Sequence, residues 1–282
     1  YLLSHSGSSG KQGILCVTTA VSKGISVEKR EICLTVDGIN IASEVYFPEQ
    51  VNLEKCPALC VCHGIPAGPP DPNDKGYPLL AQRFCAAGFV TMIFNFRGTG
   101  SSGGNLDMLG WARDLEAAID YLYNLSEVDK ERLGLMGFSG GAAVAVYVAA
   151  HEPRVSSVVL CACPSRFDFL SDFAGGQPII EHFRDIGIIR DPDFPLSAER
   201  WLEGFETIAP VRWIDKISPR PILIIHGDRD ELVNVSHARD LHRKAVDPKD
   251  MVIIEGAEHR LRQDKRAMDI ALEWLKVTAN ID

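Results

Sequence analysis

The chain has 282 residues, of which 46% are hydrophobic and 24% are charged, and its formal net charge is −9 at pH 7. This composition is typical of a globular protein with a sizeable core, and it excludes a disordered or fibrous chain. The acidic balance disfavours nucleic acid and anionic membranes as partners, because both require concentrated Lys and Arg.

The first predicted region is an N-terminal lead-in over residues 1–24, which we expect to be partly disordered. It opens with "YLLSHSGSSGKQG", a polar stretch rich in Gly and Ser. The stretch lacks the positive start and apolar core of a secretory signal. No segment of the sequence approaches the ~18 consecutive apolar residues of a membrane helix. A cytoplasmic location is therefore expected.

Two β-rich runs follow within residues 25–47, and Asp37-Gly38 between them predicts a hairpin. Beyond the hairpin, short apolar runs alternate with helical stretches, a pattern typical of parallel strands buried on both faces. The predicted strands are 57–64, 88–96, 131–138, 155–164, 220–227 and 250–256, and the predicted helices are 77–87, 107–125, 140–151, 236–246 and 262–277. The alternation predicts an α/β fold with helices on both faces of the sheet, and ligands should bind beyond the carboxyl ends of the strands.

The eight cysteines include two pairs with one residue between the members, Cys60/Cys62 and Cys161/Cys163, and none forms a CxxC pair. Residues two apart on a strand share a face, so these pairs are predicted to be small buried thiols rather than metal ligands or disulfides. Free thiols fit a reducing cytoplasm, and no metal or cofactor is expected.

Two loops follow predicted strands in the first half of the chain. His63-Gly64 ends the first strand of the parallel set, and "NFRGTGSSGG" at 95–104 ends the next. The second loop lacks the lysine of a P-loop and does not match G-x-G-x-x-G. We interpret it as a tight structural loop in which Arg97 pairs locally, in preference to a phosphate site.

The stretch "GFSGG" at 137–141 closes a strand and opens a helix, which is the setting that a nucleophile elbow requires. The glycines on either side of Ser139 allow strand and helix to approach each other closely. Ser139 is therefore the predicted nucleophile, against the alternative of a Gly-rich turn with an incidental serine.

From Pro164 to about Val211 no buried strand is predicted. A structureless loop of this length is unusual in a compact domain, so 164–211 is interpreted as a helical cap inserted into a core of 25–163 and 212–282. The cap is rich in aromatic residues, and Phe167, Phe173 and Trp201 are the predicted substrate contacts of an apolar acyl pocket. The alternative is that these aromatics form the cap's own core.

A serine nucleophile needs a base, and the base needs an acid to orient it. His259 follows the last predicted strand and is the predicted base, while His226 adjoins a strand end and is interpreted as a core residue that bonds backbone. Asp230 is the predicted acid because it lies far enough past Gly227 to turn back toward His259. Asp228 is expected to hold the loop by bonding backbone amides.

A serine hydrolase also needs preorganised N–H donors for the oxyanion of its tetrahedral intermediate. The backbone amide of Gly140, directly after Ser139, is one predicted donor. The second is the backbone amide of Ile65, in the loop that follows His63-Gly64.

These motifs cover nearly the whole chain in order: "HG" at 63–64, "NFRGTGSSGG" at 95–104, "GFSGG" at 137–141, "HGDRDELV" at 226–233 and "GAEH" at 256–259. With them the chain resembles the α/β-hydrolase superfamily, particularly compact serine esterases and acyl-aminoacyl or prolyl peptidase-like hydrolases. The resemblance implies an eight-stranded, mostly parallel sheet, with Ser139 as nucleophile, Asp230 as acid and His259 as base. Asn95 departs from the pattern, since such proteins often carry Asp at the start of that loop.

The predicted function is a serine carboxylesterase that cleaves small to medium acyl esters through an acyl-enzyme on Ser139. Amide or thioester hydrolysis by the same three residues is the first alternative, and a non-catalytic binding protein on a hydrolase fold is the second. A haloalkane dehalogenase is disfavoured because it would carry Asp where Ser139 stands. The expected partner is a small acyl ester rather than nucleic acid or a membrane, and association into a homo-oligomer stays open.

Overall fold

The computed structural model describes residues 18–21, 27–49, 55–66, 68, 76–167 and 177–281. Within these residues the strands form one nine-stranded sheet in the order β1-β2-β3-β5-β4-β6-β7-β8-β9. The strands are β1 (Thr18–Val21), β2 (Glu28–Val36), β3 (Ile39–Phe47), β4 (Cys56–Cys62), β5 (Val90–Phe94), β6 (Val128–Phe138), β7 (Ser157–Cys161), β8 (Ile222–Gly227) and β9 (Lys249–Ile254). The six strands from β4 to β9 run parallel, and β1 to β3 add an antiparallel edge.

The described helices are α1 (Gly76–Ala86), α2 (Met108–Asn124), α3 (Gly140–His151), α4 (Gln177–Asp185), α5 (Ala198–Ile208), α6 (Ser236–Lys244) and α7 (Lys265–Thr278). Helices α2 and α3 bury apolar side chains in the cluster on one face of the sheet. Helices α1 and α7 do so in the cluster on the other face. The central strands β5 and β7 are buried throughout, which explains why the sequence shows continuous apolar runs there instead of alternation.

The structure confirms the predicted α/β architecture and the hairpin at Asp37-Gly38. Both turn residues have positive φ, 53° at Asp37 and 77° at Gly38, as a two-residue hairpin turn requires. The sheet has one strand more than the eight predicted. The extra strand, β1, pairs with β2 inside the stretch interpreted as a lead-in; at four residues it is too short for a periodic signal. The rest of 1–24 lies outside the described residues.

In the described residues between β7 and β8 the chain forms α4, α5 and two short 3-10 turns at Pro210–Arg212 and Ile214–Lys216. This segment is fastened to the loop that follows β5: Leu106 N–H donates to Ile188 O at 2.8 Å, and Arg190 donates to Ser102 O at 2.6 Å. Its aromatic side chains share an apolar cluster with α2 and α3. The division into a core and a separate cap over 164–211 stays a prediction.

The paired cysteines are placed as predicted. Cys60, Cys62, Cys161 and Cys163 are free thiols with no exposed surface, and burial raises the pKa of Cys161 above its ordinary value. Within the described ranges, no group of three or more His, Cys, Asp or Glu side chains is positioned to hold a metal ion. None of the helices in the described part of the chain is long and apolar enough to cross a membrane.

Candidate active site

The site lies where the order of the parallel strands reverses, between the neighbouring strands β4 and β6. Strands β4 and β6 are neighbours, but β4 is followed in sequence by β5 on one side and β6 by β7 on the other. The loops that leave their carboxyl ends therefore separate and open a crevice, the usual ligand position in an open α/β sheet. Ser139 follows β6 at this crevice, and His63, Gly64 and Ile65 follow β4.

Ser139 occupies a strained backbone conformation at the joint of β6 and α3. Its φ of 50° and ψ of −122° are unusual for a residue with a side chain. Hydrogen bonds on both sides hold it: Ser139 N donates to Cys161 O at 2.9 Å, and Ser139 O accepts from Ala142 N at 3.0 Å. The surrounding fold therefore fixes the backbone from which the hydroxyl projects.

Glycine is required at two positions beside this serine. A Cβ at Gly137 would lie 2.4 Å from the Cα of Ala142, and a Cβ at Gly141 would lie 2.1 Å from the carbonyl oxygen of His63. The first contact brings the strand and its helix together, and the second brings α3 against the loop after β4. The Gly residues predicted to allow close packing do so, and Gly141 sets the distance between the serine and the His63 loop.

The structure brings Ser139, His259 and Asp230 together in one hydrogen-bonded chain. His259 Nε2 lies 3.0 Å from Ser139 Oγ, and His259 Nδ1 lies 2.8 Å from Asp230 Oδ2. The imidazole side chain is 18% exposed, whereas the Asp230 side chain has no exposed surface. A base open to the crevice and an acid beneath it is the arrangement that activates a serine hydroxyl.

The Asp230 carboxylate is held at both oxygens. Oδ1 accepts the backbone N–H groups of Leu232 at 3.0 Å and Val233 at 2.8 Å. Burial alone would raise the pKa of this carboxyl, but donors from His226, His259 and Val233 outweigh it and hold the pKa well below its usual range. The group is therefore an anion throughout the physiological pH range.

Asp228 has the different role that the sequence indicated. Its Oδ1 accepts the backbone N–H of Gly256 at 2.6 Å, and its own N–H donates to Ile254 O. These bonds join the loop after β8 to the loop after β9. They hold the loops that carry Asp230 and His259 next to each other.

His63 is buried at the start of the loop after β4 and fixes the backbone of that loop. Nδ1 lies 2.7 Å from Gly64 O, while Nε2 accepts the backbone N–H of Phe96 at 3.0 Å. Nδ1 therefore carries the proton and donates to Gly64. Burial lowers the pKa of His63 to about 4, so the ring is neutral near pH 7.

The Ile65 backbone amide lies close to Gly140, and the preceding Gly64 lies close to Ser139. The Ile65 nitrogen is 3.6 Å from the position that a Cβ on Gly140 would take, and a Cβ on Gly64 would be 3.0 Å from Ser139 Cβ. In a planar trans peptide the N–H points away from the C=O. The bond from His63 to the Gly64 carbonyl therefore fixes the direction of the Ile65 N–H.

The loop at 95–104 is anchored by a buried ion pair. The Arg97 guanidinium donates to Asp114 Oδ1 from Nη2 at 2.7 Å, and the Arg97 backbone N–H donates to Asp114 Oδ2 at 2.9 Å. Arg97 is 3% exposed and Asp114 is fully buried. The local pairing predicted for Arg97 is confirmed, and the pair supports the segment that contacts His63.

Tyr77 and Arg262 border the site and were missed by sequence reasoning. The centroids of the Tyr77 and His63 rings lie 6.0 Å apart, and burial raises the pKa of Tyr77 to about 12. The Arg262 guanidinium lies 4.8 Å from the centroid of the Tyr77 ring. No motif marks either residue; the only signal was their position shortly after His63 and His259 in the sequence.

A cavity of about 440 Å³ adjoins the start of the loop after β4. His63 and Tyr77 line it together with polar residues such as Ser43, Glu44 and Asn95, whereas Ser139, His259 and Asp230 are not among its lining residues. Its volume falls within the range of small-molecule pockets.

Two of the three aromatic residues predicted to contact substrate, Phe167 and Trp201, lie in the buried apolar cluster of α2 and α3. Trp201 and Phe167 are buried, with ring centroids 5.0 Å and 5.2 Å from that of Phe205. Trp201 Nε1 donates to Leu106 O at 2.7 Å. Phe173 lies outside the described residues. Substrate contact by these residues stays a prediction.

Comparison with known proteins places the chain in a family. The family model described as "Prolyl oligopeptidase family" matches residues 77–280. A relative, the uncharacterized protein PA2218 of Pseudomonas aeruginosa, is 26% identical over 277 residues, covering 79% of this chain and 72% of the relative.

Several solved structures share the fold. The α/β hydrolase GrgF from Penicillium is 18% identical at a TM-score of 0.67, with 89% of this chain and 99% of that chain covered. Acetyl xylan esterase 1 from Thermoanaerobacterium is 20% identical at 0.67, with 95% and 88% covered. Est1E from Butyrivibrio proteoclasticus, solved with ferulic acid bound, is 22% identical at 0.64, with 87% and 96% covered. The chain has the α/β-hydrolase fold and belongs to the prolyl oligopeptidase family of hydrolases.

Proposed function

We propose that the protein is a serine carboxylesterase that cleaves small to medium acyl esters through an acyl-enzyme on Ser139. The observation that carries the proposal is the unbroken chain from Ser139 Oγ through His259 to the buried Asp230 carboxylate, with both contacts at hydrogen-bond distance. Each group is in the role that its environment favours: a strained serine at a crevice, a partly exposed imidazole and a buried anion.

In the first half of the reaction, Ser139 Oγ attacks the carbonyl carbon of the ester while its proton passes to His259 Nε2. The carbonyl π electrons move to the oxygen, which becomes an oxyanion bonded by the N–H groups of Ile65 and Gly140. As the intermediate collapses, the bond to the leaving oxygen breaks and that oxygen takes the proton from His259. The alcohol departs and the acyl group stays on Ser139.

In the second half, water attacks the acyl carbon and gives its proton to His259 Nε2. A second oxyanion forms at the same two amides, then collapses and breaks the bond to Ser139 Oγ, which recovers the proton. Asp230 stays ionised in both halves because its pKa is held low. It orients the imidazole and stabilises the imidazolium that forms in each step.

The structural neighbours support an ester substrate. One of them is named as an acetyl xylan esterase, and another, Est1E, was solved with ferulic acid bound.

Amide hydrolysis is the second candidate, and the match to the prolyl oligopeptidase family favours it. The same three residues serve either leaving group. A matched series of acetyl ester, acetyl thioester and acetyl anilide separates the candidates. The esterase assignment predicts the highest kcat/KM on the ester with no turnover of the anilide, and a kcat/KM on the anilide equal to that on the ester contradicts it.

The nucleophile is tested by Ser139→Ala with short 4-nitrophenyl esters. We expect hydrolysis to fall to the background rate while the protein keeps its unfolding temperature. Ser126→Ala is the matched control, because Ser126 lies in the exposed loop between α2 and β6, and it should keep full activity. Retention of most activity by Ser139→Ala would overturn the assignment.

A further inference from the structure

A second histidine, His226, lies directly beneath the acid of the site. It sits near the end of β8, and neither its side chain nor that of Asp230 has any exposed surface. Its Nε2 lies 2.8 Å from the carbonyl oxygen of Val233 and 3.4 Å from Asp230 Oδ2. The ring is therefore in contact both with the turn that carries Asp230 and with the carboxylate itself.

The contacts determine which nitrogen of His226 carries the proton. Both neighbours of Nε2 are acceptors, a backbone carbonyl and a carboxylate oxygen, so Nε2 is protonated and aims its N–H between them. The proton donates to Val233 O, and its positive end also faces Oδ2. This is the same oxygen that accepts from His259 Nδ1.

The other nitrogen is left without a partner. Nδ1 of His226 is buried and finds no hydrogen-bond donor among the described residues. A buried acceptor without a donor destabilises the folded state, and such groups in native proteins need an explanation. An apolar side chain would avoid the cost, so the contacts of Nε2 must be what this position requires.

We propose that His226 is a positioning residue for the acid of the site: its Nε2–H holds the 230–233 turn through Val233 and orients Asp230 Oδ2 toward His259. The inference rests on the proposed function of Ser139, His259 and Asp230. It assigns to His226 a role beyond the backbone bond that the sequence predicted.

The two contacts act on the carboxylate together. Val233 accepts from His226 at its carbonyl and donates its own N–H to Asp230 Oδ1 at 2.8 Å, so fixing the carbonyl also fixes this donor. The direct contact places a partial positive charge beside Oδ2, which stabilises the anion where it faces His259. Without it, the carboxylate would have only backbone donors on one oxygen and His259 on the other.

The test compares His226→Phe with His226→Gln. Phe keeps a planar ring but removes the N–H, while a Gln amide can donate again to Val233 O and Asp230 Oδ2. With 4-nitrophenyl acetate, we expect Phe to lower kcat about tenfold, as for loss of one weak hydrogen bond to a charged group, with KM within about twofold. Gln should recover kcat to within about threefold of the parent protein.

A second measurement needs no substrate. The titration of the His259 ring is followed by NMR in the resting protein and in His226→Phe. The His226 N–H places a partial positive charge beside Asp230 Oδ2. Without it, the carboxylate stabilises the His259 imidazolium more strongly, so the titration midpoint of His259 should move to higher pH. This shift is expected even if the natural reaction is not ester hydrolysis, and it therefore separates failure of the positioning role from failure of the proposed function.

Ile225→Val is the matched control because Ile225 is buried on the same strand and belongs to the apolar cluster of α1 and α7. It should lower the unfolding temperature without changing kcat or the titration midpoint. Parent-like kcat and an unmoved midpoint in His226→Phe would overturn the proposal. So would a kcat loss in His226→Gln as large as in His226→Phe.

Discussion

The contact between Gly141 and the loop after β4 makes a sharp prediction for Gly141→Ala. The new Cβ would lie 2.1 Å from His63 O and 2.8 Å from Cys62 O, both backbone atoms that cannot rotate away. Contacts of a Cβ under 3.0 Å are essentially never found in real proteins, so the loop must move away from α3 by about 0.9 Å. The moving segment includes the Ile65 amide.

A displacement of about 1 Å at a reacting geometry costs on the order of a hundredfold in rate. We therefore expect Gly141→Ala to lower kcat on 4-nitrophenyl acetate by about a hundredfold, because the oxyanion loses a donor that acts in the transition state. KM should change little. The assay is steady-state kinetics, with thermal unfolding measured on the same samples.

Gly204→Ala is the matched control for that variant. Gly204 also lies within a helix, α5, but the nearest atom to the position that a Cβ would take there is 3.8 Å away. It should keep full activity and gain a little stability, since Ala is favoured over Gly in a helix. Unchanged kcat in Gly141→Ala would refute the view that this glycine sets the position of the oxyanion loop.

Two further predictions concern the supports of the site. Asp114→Asn leaves Arg97 charged and 3% exposed, so the free energy of unfolding in urea should fall by about 3–5 kcal/mol. Asp37→Asn, at the half-exposed end of the same network, should lower it by less than about 1 kcal/mol. Equal losses in the two variants would contradict the role of burial. The pKa of His63 is about 6.5 in the unfolded chain and about 4 in the folded protein. Between these two pH values only the unfolded chain binds a proton at His63, so the stability of the folded protein falls as the pH is lowered. From pH 7 to pH 5 this loss is about 2 kcal/mol, and His63→Gln should remove it from the pH dependence of urea unfolding; an unchanged pH dependence would contradict a buried neutral His63.

The sequence was a good guide to the elements whose pattern is local. Continuous apolar runs at Val90–Phe94 and Ser157–Cys161 mark strands buried on both faces. Asp37-Gly38 marks a turn because both residues tolerate positive φ. The four-residue β1 was missed because its pairing with β2 is a tertiary contact that leaves no period in the sequence.

The same distinction holds within the site. Ser139, Asp230 and His259 could be predicted because each follows a strand, and the fold brings the ends of parallel strands together. The roles of Tyr77 and Arg262 could not be predicted, because their contacts depend on how α1 and the turn after His259 approach each other. His226 was interpreted correctly as bonding backbone, but its distance from Asp230 depends on the path of the turn at 230–233.

The central claim is that Ser139 is acylated during turnover with His259 as its base. Its most direct test is labelling of the native protein with a fluorophosphonate, followed by mass spectrometry of the peptide that contains Ser139. We predict one phosphonyl group on Ser139 in the parent protein and none in Ser139→Ala or His259→Ala. Absence of label in the parent protein, or label on a different residue, would contradict the claim.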